Sequence, residues 1–199
     1  MPQIQALPEI VKLGGSLVSN PRLPALLVAL ARRGAPLVLV AGGGPLADGV
    51  RALQPRLGLS DAACHRMAIL AMEQTALAFA DLASGLVLAD TIEAIAEAHA
   101  QGHAALWLPA RMALAANELP ESWDLTSDSL AAWLAAELGA ARLTLVKSAP
   151  APGPMPADWA ASGLVDPLFP VFAAHVTGAV EIVTIDAMMT SPGRGSLAA

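Results

Sequence analysis

The chain has 199 residues, more than half of them apolar, with a net charge of −6 and a mean hydropathy of +0.57. That length needs no second hydrophobic core, so one domain over 1–199 is expected. An acidic balance without any basic run leaves no electrostatic footprint for nucleic acid. The longest uncharged stretches, 34–47 and 167–180, contain Gly or Pro and fall short of the ~18 apolar residues of a membrane span. The opening MPQIQALPEI lacks the basic start and apolar core of a secretory signal, which predicts a cytoplasmic protein. Cys64 stands alone, cannot close an internal disulfide, and reads as packing.

In chain order, residues 8–13 (PEIVKL) and 36–41 (PLVLVA) are short apolar runs closed by glycine, as in buried parallel strands. Between them, 22–33 carries Leu23, Leu26, Leu27 and Leu30 at helical spacing, so the chain opens strand, helix, strand. Helical spacing returns over 45–58 and 60–83, the latter with Ser60 and Asp61 at its N-cap, and over 90–101. A strand follows at 104–108, closed by Pro109, then a helix at 127–138 ending at Gly139, then strands at 142–147 and 181–185. Residues 148–156 (SAPAPGPMP) read as a Pro-rich loop, and the tail after Met189 as a frayed end. The alternation is α/β, without an internal repeat.

Of eleven basic residues nine are arginine; the two lysines, Lys12 and Lys147, both end predicted buried strands. Ligands of an open parallel sheet bind beyond the carboxyl ends of the strands, so both ammonium groups are expected in one crevice. A buried ammonium costs several kcal/mol, of order ~5, unless an anion or solvent meets it. Lysine, a compact and mobile point charge, suits a phosphate in transfer. Lys12 is followed by Gly14, Gly15 and Ser16, and the second strand by Gly42, Gly43 and Gly44 before Pro45 opens a helix. Missing side chains let backbone N–H groups approach an anion, and a helix N-terminus adds partial positive charge. There is neither a GxxxxGK[ST] nor a GxGxxG motif. Thr126, Ser127, Asp128 and Ser129 open the helix before the Lys147 strand. Asp128 has two readings there, a first-turn carboxylate favoured by the helix dipole or a carboxylate set between two lysines.

This order of motifs, Val11–Ser16, Gly42–Gly44, Thr126–Ser129 and Lys147, resembles the amino-acid-kinase superfamily. More narrowly, Trp107–Pro109, Leu119–Ser129 and Val165-Asp166 with Phe169 resemble the short kinases of methanofuran biosynthesis, which phosphorylate [5-(aminomethyl)furan-3-yl]methyl phosphate to the diphosphate. The resemblance implies a three-layer αβα sandwich with a mainly parallel central sheet, of the carbamate-kinase kind. It implies Lys12, Asp128 and Lys147 as the catalytic set, with Lys12 bridging donor and acceptor phosphates and Asp128 organising both lysines. Gly14, Gly15, Ser16, Ser127 and Lys147 would hold the nucleotide. Gly42, Gly43, Gly44, Arg51 and His65, with Met72 nearby, would border the acceptor, although His65 reads first as a satisfied helix-surface histidine. Larger relatives follow the last motif with Asp-Gly-Val and carry a later Gly-rich segment with another lysine. Here Ser148-Ala149-Pro150 follows, and Lys147 serves alone.

The expected activity is therefore ATP-dependent phosphoryl transfer to a small anionic acceptor, a phosphate monoester before a carboxylate. Such an acceptor is already an oxyanion and needs little deprotonation, which suits a site without an evident general base. Mg²⁺ would travel with ATP, with no protein metal site, and a homodimer is expected from the resemblance. The rivals are a non-catalytic nucleotide- or oxyanion-binding protein on the same fold and a nicotinamide enzyme with an atypical glycine loop.

Overall fold

A computed structural model describes residues 7–190. Six strands form one sheet: β1 (Glu9–Leu13), β2 (Leu37–Ala41), β3 (Leu86–Ala89), β4 (Ala104–Trp107), β5 (Arg142–Lys147) and β6 (Ala179–Thr184). Their order is β3-β4-β2-β1-β5-β6, and every neighbouring pair is parallel. The chain first builds outward from β1 through β2, then returns to the other side of β1 with β5. This reversal opens a crevice beyond the carboxyl ends of β1, β2 and β5.

Side-chain alternation sorts the strand residues onto two buried faces. Ile10, Val38, Val40, Leu143 and Leu145 face α6 (Ser127–Glu137) together with residues of α3 (Asp61–Leu82) and α4 (Ile92–Ala100). Val11, Leu13, Leu39, Ala41 and Val146 face α1 (Leu23–Arg33), the later half of α3 and the start of α9 (Ile185–Thr190). Helices thus cover both faces, giving an αβα sandwich. In α1 the predicted Leu23, Leu26, Leu27 and Leu30 are the buried stripe, each worth about 1.5–3 kcal/mol of burial. Helix α2 (Gly44–Leu57) ends at Gly58 in the left-handed region, φ +65°. In α3 the Ser60 side chain accepts the N–H of Ala63 at 3.2 Å, the expected N-cap.

The structure adds elements too short to show periodicity. Strand β3 is an edge strand of four residues, with Leu88 partly exposed. A 3₁₀ turn (Gly15–Ser19) and three short helices, α5 (Ala110–Ala113), α7 (Pro156–Ala161) and α8 (Phe169–Ala173), occupy stretches to which the sequence assigns no helix. Strand β6 begins two residues earlier than expected and stops at Thr184. The tail from 191 lies outside the described residues. Among these, no helix is long and apolar enough to cross a membrane.

Candidate phosphate-binding site

In the β1–β5 pairing Lys12 is level with Leu145, so Lys12 and Lys147 leave the sheet on one face, towards α6. There Asp128 meets both: Lys12 Nζ donates to Oδ1 at 2.5 Å and Lys147 Nζ to Oδ2 at 2.7 Å. All three are buried, at 2%, 9% and 5% exposure. Burial alone would raise the Asp128 pKa, but the two ammonium groups hold it below the usual aspartate value. Burial, then the charge of Lys12, pull Lys147 down to about 8 against the upward pull of Asp128. With the carboxylate and both lysines charged, the trio carries one net positive charge, tempered by the through-space pull of Asp166 on Lys147, a setting that favours an anion.

Another residue caps the helix that carries Asp128. The side chain of Thr126, at the N-cap, makes no capping bond. Instead Asp166, from the loop between α7 and α8, accepts the N–H groups of Thr126 and Ser129, each at 3.0 Å, and the hydroxyls of both. The carboxylate thus satisfies helix-end donors that would otherwise lack partners.

The two glycine loops meet in the crevice. A Cβ on Gly15 would lie 2.6 Å from Gly44 N, and one on Gly42 would lie 2.6 Å from Gly15 N, so neither position tolerates a side chain. Gly44 also has φ +54°. The Thr75 hydroxyl, on α3, lies 3.3 Å from Gly43 O and 3.0 Å from Ala71 O of its own helix, so its one proton is shared between the loop and the helix. The N–H of Gly14 is taken by Val146 O and that of Gly42 by Leu13 O; these two amides extend the sheet and do not reach a ligand. The amides of Gly15, Ser16, Gly43 and Gly44 lie at the starts of helical turns and have no intrahelical partner, so they can bind an oxyanion.

These groups line a cavity of about 320 Å³. Lys12, Gly14, Gly15, Ser16, Ser127, Asp128 and Lys147 lie at one end; Gly43, Gly44, Arg51 and His65 lie towards α2 and α3. Of the residues given a catalytic, nucleotide-binding or acceptor-binding role in the sequence, only Gly42 does not line it. Its close packing against Gly15 gives it a role in bringing the loops together. The wall beyond is apolar, with Ile69, Met72, Leu125 and Leu130, and Trp123 stands at its edge. The Arg51 guanidinium lies 4.3 Å over the Trp123 ring and bonds Asp48 at 3.0 Å. Trp123 in turn donates to Gln54 on α2 at 2.6 Å. Buried His65 has its pKa lowered by burial, against Glu121 and with Arg66, so it is neutral at pH 7. Trp123 and Asp166 had no individual role in the sequence reading; both occur only within the stretches that carry the narrower likeness, and no spacing rule ties Asp166 to a helix forty residues upstream.

For a divalent metal the donor set is poor. Both Asp128 oxygens face ammonium groups, and among the described residues no group of three His, Cys, Asp or Glu could hold an ion. An ion here would arrive as part of a metal–nucleotide substrate, held by phosphate oxygens and water.

Buried lysines bridged by a carboxylate thus lie under glycine loops at the switch point of a parallel αβα sheet. The sequence model of the Amino acid kinase family matches residues 9–151, more than half of the chain. The chain belongs to that family. The [5-(aminomethyl)furan-3-yl]methyl phosphate kinase of Methanocaldococcus jannaschii is 31% identical over 129 residues, 63% of this chain and 59% of that protein. The aligned region therefore spans less than two thirds of the relative's length. Among solved structures, the uridylate kinase of Archaeoglobus fulgidus superposes with a TM-score of 0.68 at 16% identity, over 90% of this chain and 94% of its own. The UMP kinase of Ureaplasma parvum gives 0.64 at 14%, over 92% and 91%. The N-acetylglutamate synthase of Neisseria gonorrhoeae, complexed with coenzyme A and L-arginine, gives 0.55 at 18%, over 92% of this chain and 57% of its own. A synthase on the same fold means that the fold alone does not name the reaction.

Proposed function

We propose that this protein is an ATP-dependent phosphotransferase that moves the γ-phosphate of magnesium–ATP onto a small phosphate monoester, of the [5-(aminomethyl)furan-3-yl]methyl phosphate type, to give a diphosphate. The observation that carries the reading is the meeting of the chain's two lysines on one buried carboxylate beneath the glycine loops. Lys12, central in the sheet, would stabilise charge on the transferring group between donor and acceptor oxygens. Lys147 would hold the nucleotide phosphates, and Asp128 would keep both ammonium groups charged and aimed. The amides of Gly15, Ser16 and Gly44 would receive phosphate oxygens. Most of the catalysis would then be positioning and charge stabilisation on a loose transition state in a water-poor site.

The acceptor end supports a small, partly apolar monoester. Ile69, Met72, Leu125 and Leu130 would cover a compact ring, and Arg51 with neutral His65 would supply donors to its phosphate. The assay is ADP formation from magnesium–ATP across a panel of phosphate monoesters and carboxylates. Turnover with a monoester is expected. Turnover with a carboxylate would make the product an acyl phosphate, and nucleotide binding without ADP release on any acceptor would reduce the chain to a binding protein.

A further inference from the structure

Asp166 is buried, and every hydrogen bond its carboxylate accepts comes from the start of α6. Its Oδ2 takes the Thr126 N–H at 3.0 Å, the Thr126 hydroxyl at 2.7 Å and the Ser129 N–H at 3.0 Å, while Oδ1 takes the Ser129 hydroxyl. A carboxylate offers about four lone-pair sites, two on each oxygen, and four donors from one helix end converge on this one, three of them on Oδ2. Asp128 lies between Thr126 and Ser129 in the chain, yet its own oxygens bond only lysines. An aspartate in a first turn ordinarily competes for the helix-end N–H groups. Here Asp166 has already taken them.

Asp166 is also held from outside. Trp159 of α7 stacks on Phe169 of α8 at 6.0 Å and 29°, and both are buried. The N–H of Leu168 bonds Asp124 O at 3.1 Å, and the N–H of Phe169 bonds Asp166 O at 3.1 Å. The carboxylate therefore sits on a packed segment beyond residue 151, where the family match ends.

We propose that Asp166 is a positioning residue: by fixing the first turn of α6 it aims Asp128 at Lys12 and Lys147, so the lysine pair is set by a part of the chain outside the matched region. Its consequence for turnover rests on the kinase reading; its consequence for the lysines does not.

The chain's two lysines are both in the site, so ¹³C labelling of lysine side chains gives two ε-carbon signals that report on it alone. The charged groups around Lys147 are Lys12 on β1, Asp128 on α6 and Asp166 itself. Asp166→Asn keeps the volume but removes the charge and turns one acceptor into a donor among donors. Both signals are expected to move, with Lys147 titrating about half a pH unit or more below its wild-type midpoint. In the assay, kcat is expected to fall about tenfold with a smaller change in the KM for ATP.

Asp166 also acts on Lys147 through space, so the same substitution is made in an Asp128→Asn background, where a residue acting through Asp128 adds little. Should Asp166→Asn fail to fold, Ser129→Ala removes one donor, leaves the carboxylate, and is expected to give a smaller shift in the same direction. Lysine signals that titrate as in the wild type, or a shift of equal size with and without the Asp128 carboxylate, would overturn the positioning role. The titration needs no turnover. Responsive lysines in a protein that forms no ADP would overturn the kinase reading alone, and unresponsive lysines in an active kinase would overturn this inference alone.

Discussion

The sheet carries a cavity at each end, and the two are nearly equal in size. The one beyond the carboxyl ends measures about 320 Å³; the other, against the amino ends of β1 and β2, about 310 Å³. The amino-end cavity is walled by Pro8, Ala35, Pro36, Ile92, Ile95, Ala96 and Leu138, and its one polar ring, His99, bonds Leu37 O at 3.0 Å. Volume does not separate the two ends, but direction does. Parallel strands arrive at their carboxyl ends to begin helices, whose first N–H groups point at the space beyond. They leave their amino ends from finished helices, whose carbonyls carry the opposite partial charge. An anion suits only one of these ends, and both buried lysines are there.

The hardest test of that contrast is Lys12→Ala. If this ammonium stabilises the transferring group, turnover falls by about a hundredfold or more, with far-ultraviolet circular dichroism unchanged. The matching substitution at the other end, Ala96→Phe, fills the apolar cavity and should leave kcat and KM within about twofold. Full activity in a folded Lys12→Ala protein would erase the functional difference between the two ends.

Asp128→Asn comes next. It leaves two buried ammonium groups facing each other without a counter-charge, and breaking a buried pair costs about 3–5 kcal/mol. The loss is expected to be smaller here, because Lys147, already down to about 8, can shed its proton. That escape sets a sign. The unfolded chain keeps the lysine proton to higher pH than the folded one, so the variant's stability should rise as pH increases through and above 8. Turnover should drop about ten- to a hundredfold, and urea titrations at pH 7 and 9 measure the stability difference. Wild-type rates would return Asp128 to a simple first-turn carboxylate.

A milder, reversible perturbation is pH itself. Loss of the Lys147 proton near pH 8 removes the positive charge proposed to hold the nucleotide, so kcat/KM for magnesium–ATP should fall above that pH. Bound phosphate favours the charged form, so the corresponding fall in kcat should lie at higher pH. Identical limbs in the two profiles would mean that Lys147 does not meet the nucleotide.

The contrast between the ends was legible in the sequence because burying a charge demands a reason. Lys12 and Lys147 stood out as lysines in a chain whose other basic residues are all arginine, each ending an apolar run next to glycine or a loop. The long elements were equally plain, since α1 and the buried strands carry their own periodicity. Strand β3 was not, because four residues at a sheet edge, with Leu88 partly exposed, leave no pattern to read. The glycine loops were visible as a cluster but not in their division of labour. Only the coordinates show the Gly14 and Gly42 amides spent on the sheet and Gly42 pressed against Gly15. Asp166 was opaque for a similar reason. An N-cap usually comes from within a residue or two of the helix, whereas this one is supplied by tertiary folding.

The smallest effect concerns the acceptor half of the carboxyl-end cavity, where the positive charge is shared and wet. Arg51 is half-exposed, paired with Asp48 and stacked on Trp123, so solvent and a neighbouring carboxylate already weaken it. Arg51→Met keeps the apolar stem over the indole and removes the charge. If the guanidinium meets the acceptor phosphate, the acceptor KM should rise about three- to tenfold with little change in kcat or in the KM for ATP. This split is the informative part. A rise in the ATP KM instead would move the nucleotide to the α2 side of the cavity and reverse the assignment of donor and acceptor ends, while leaving Lys12 between them.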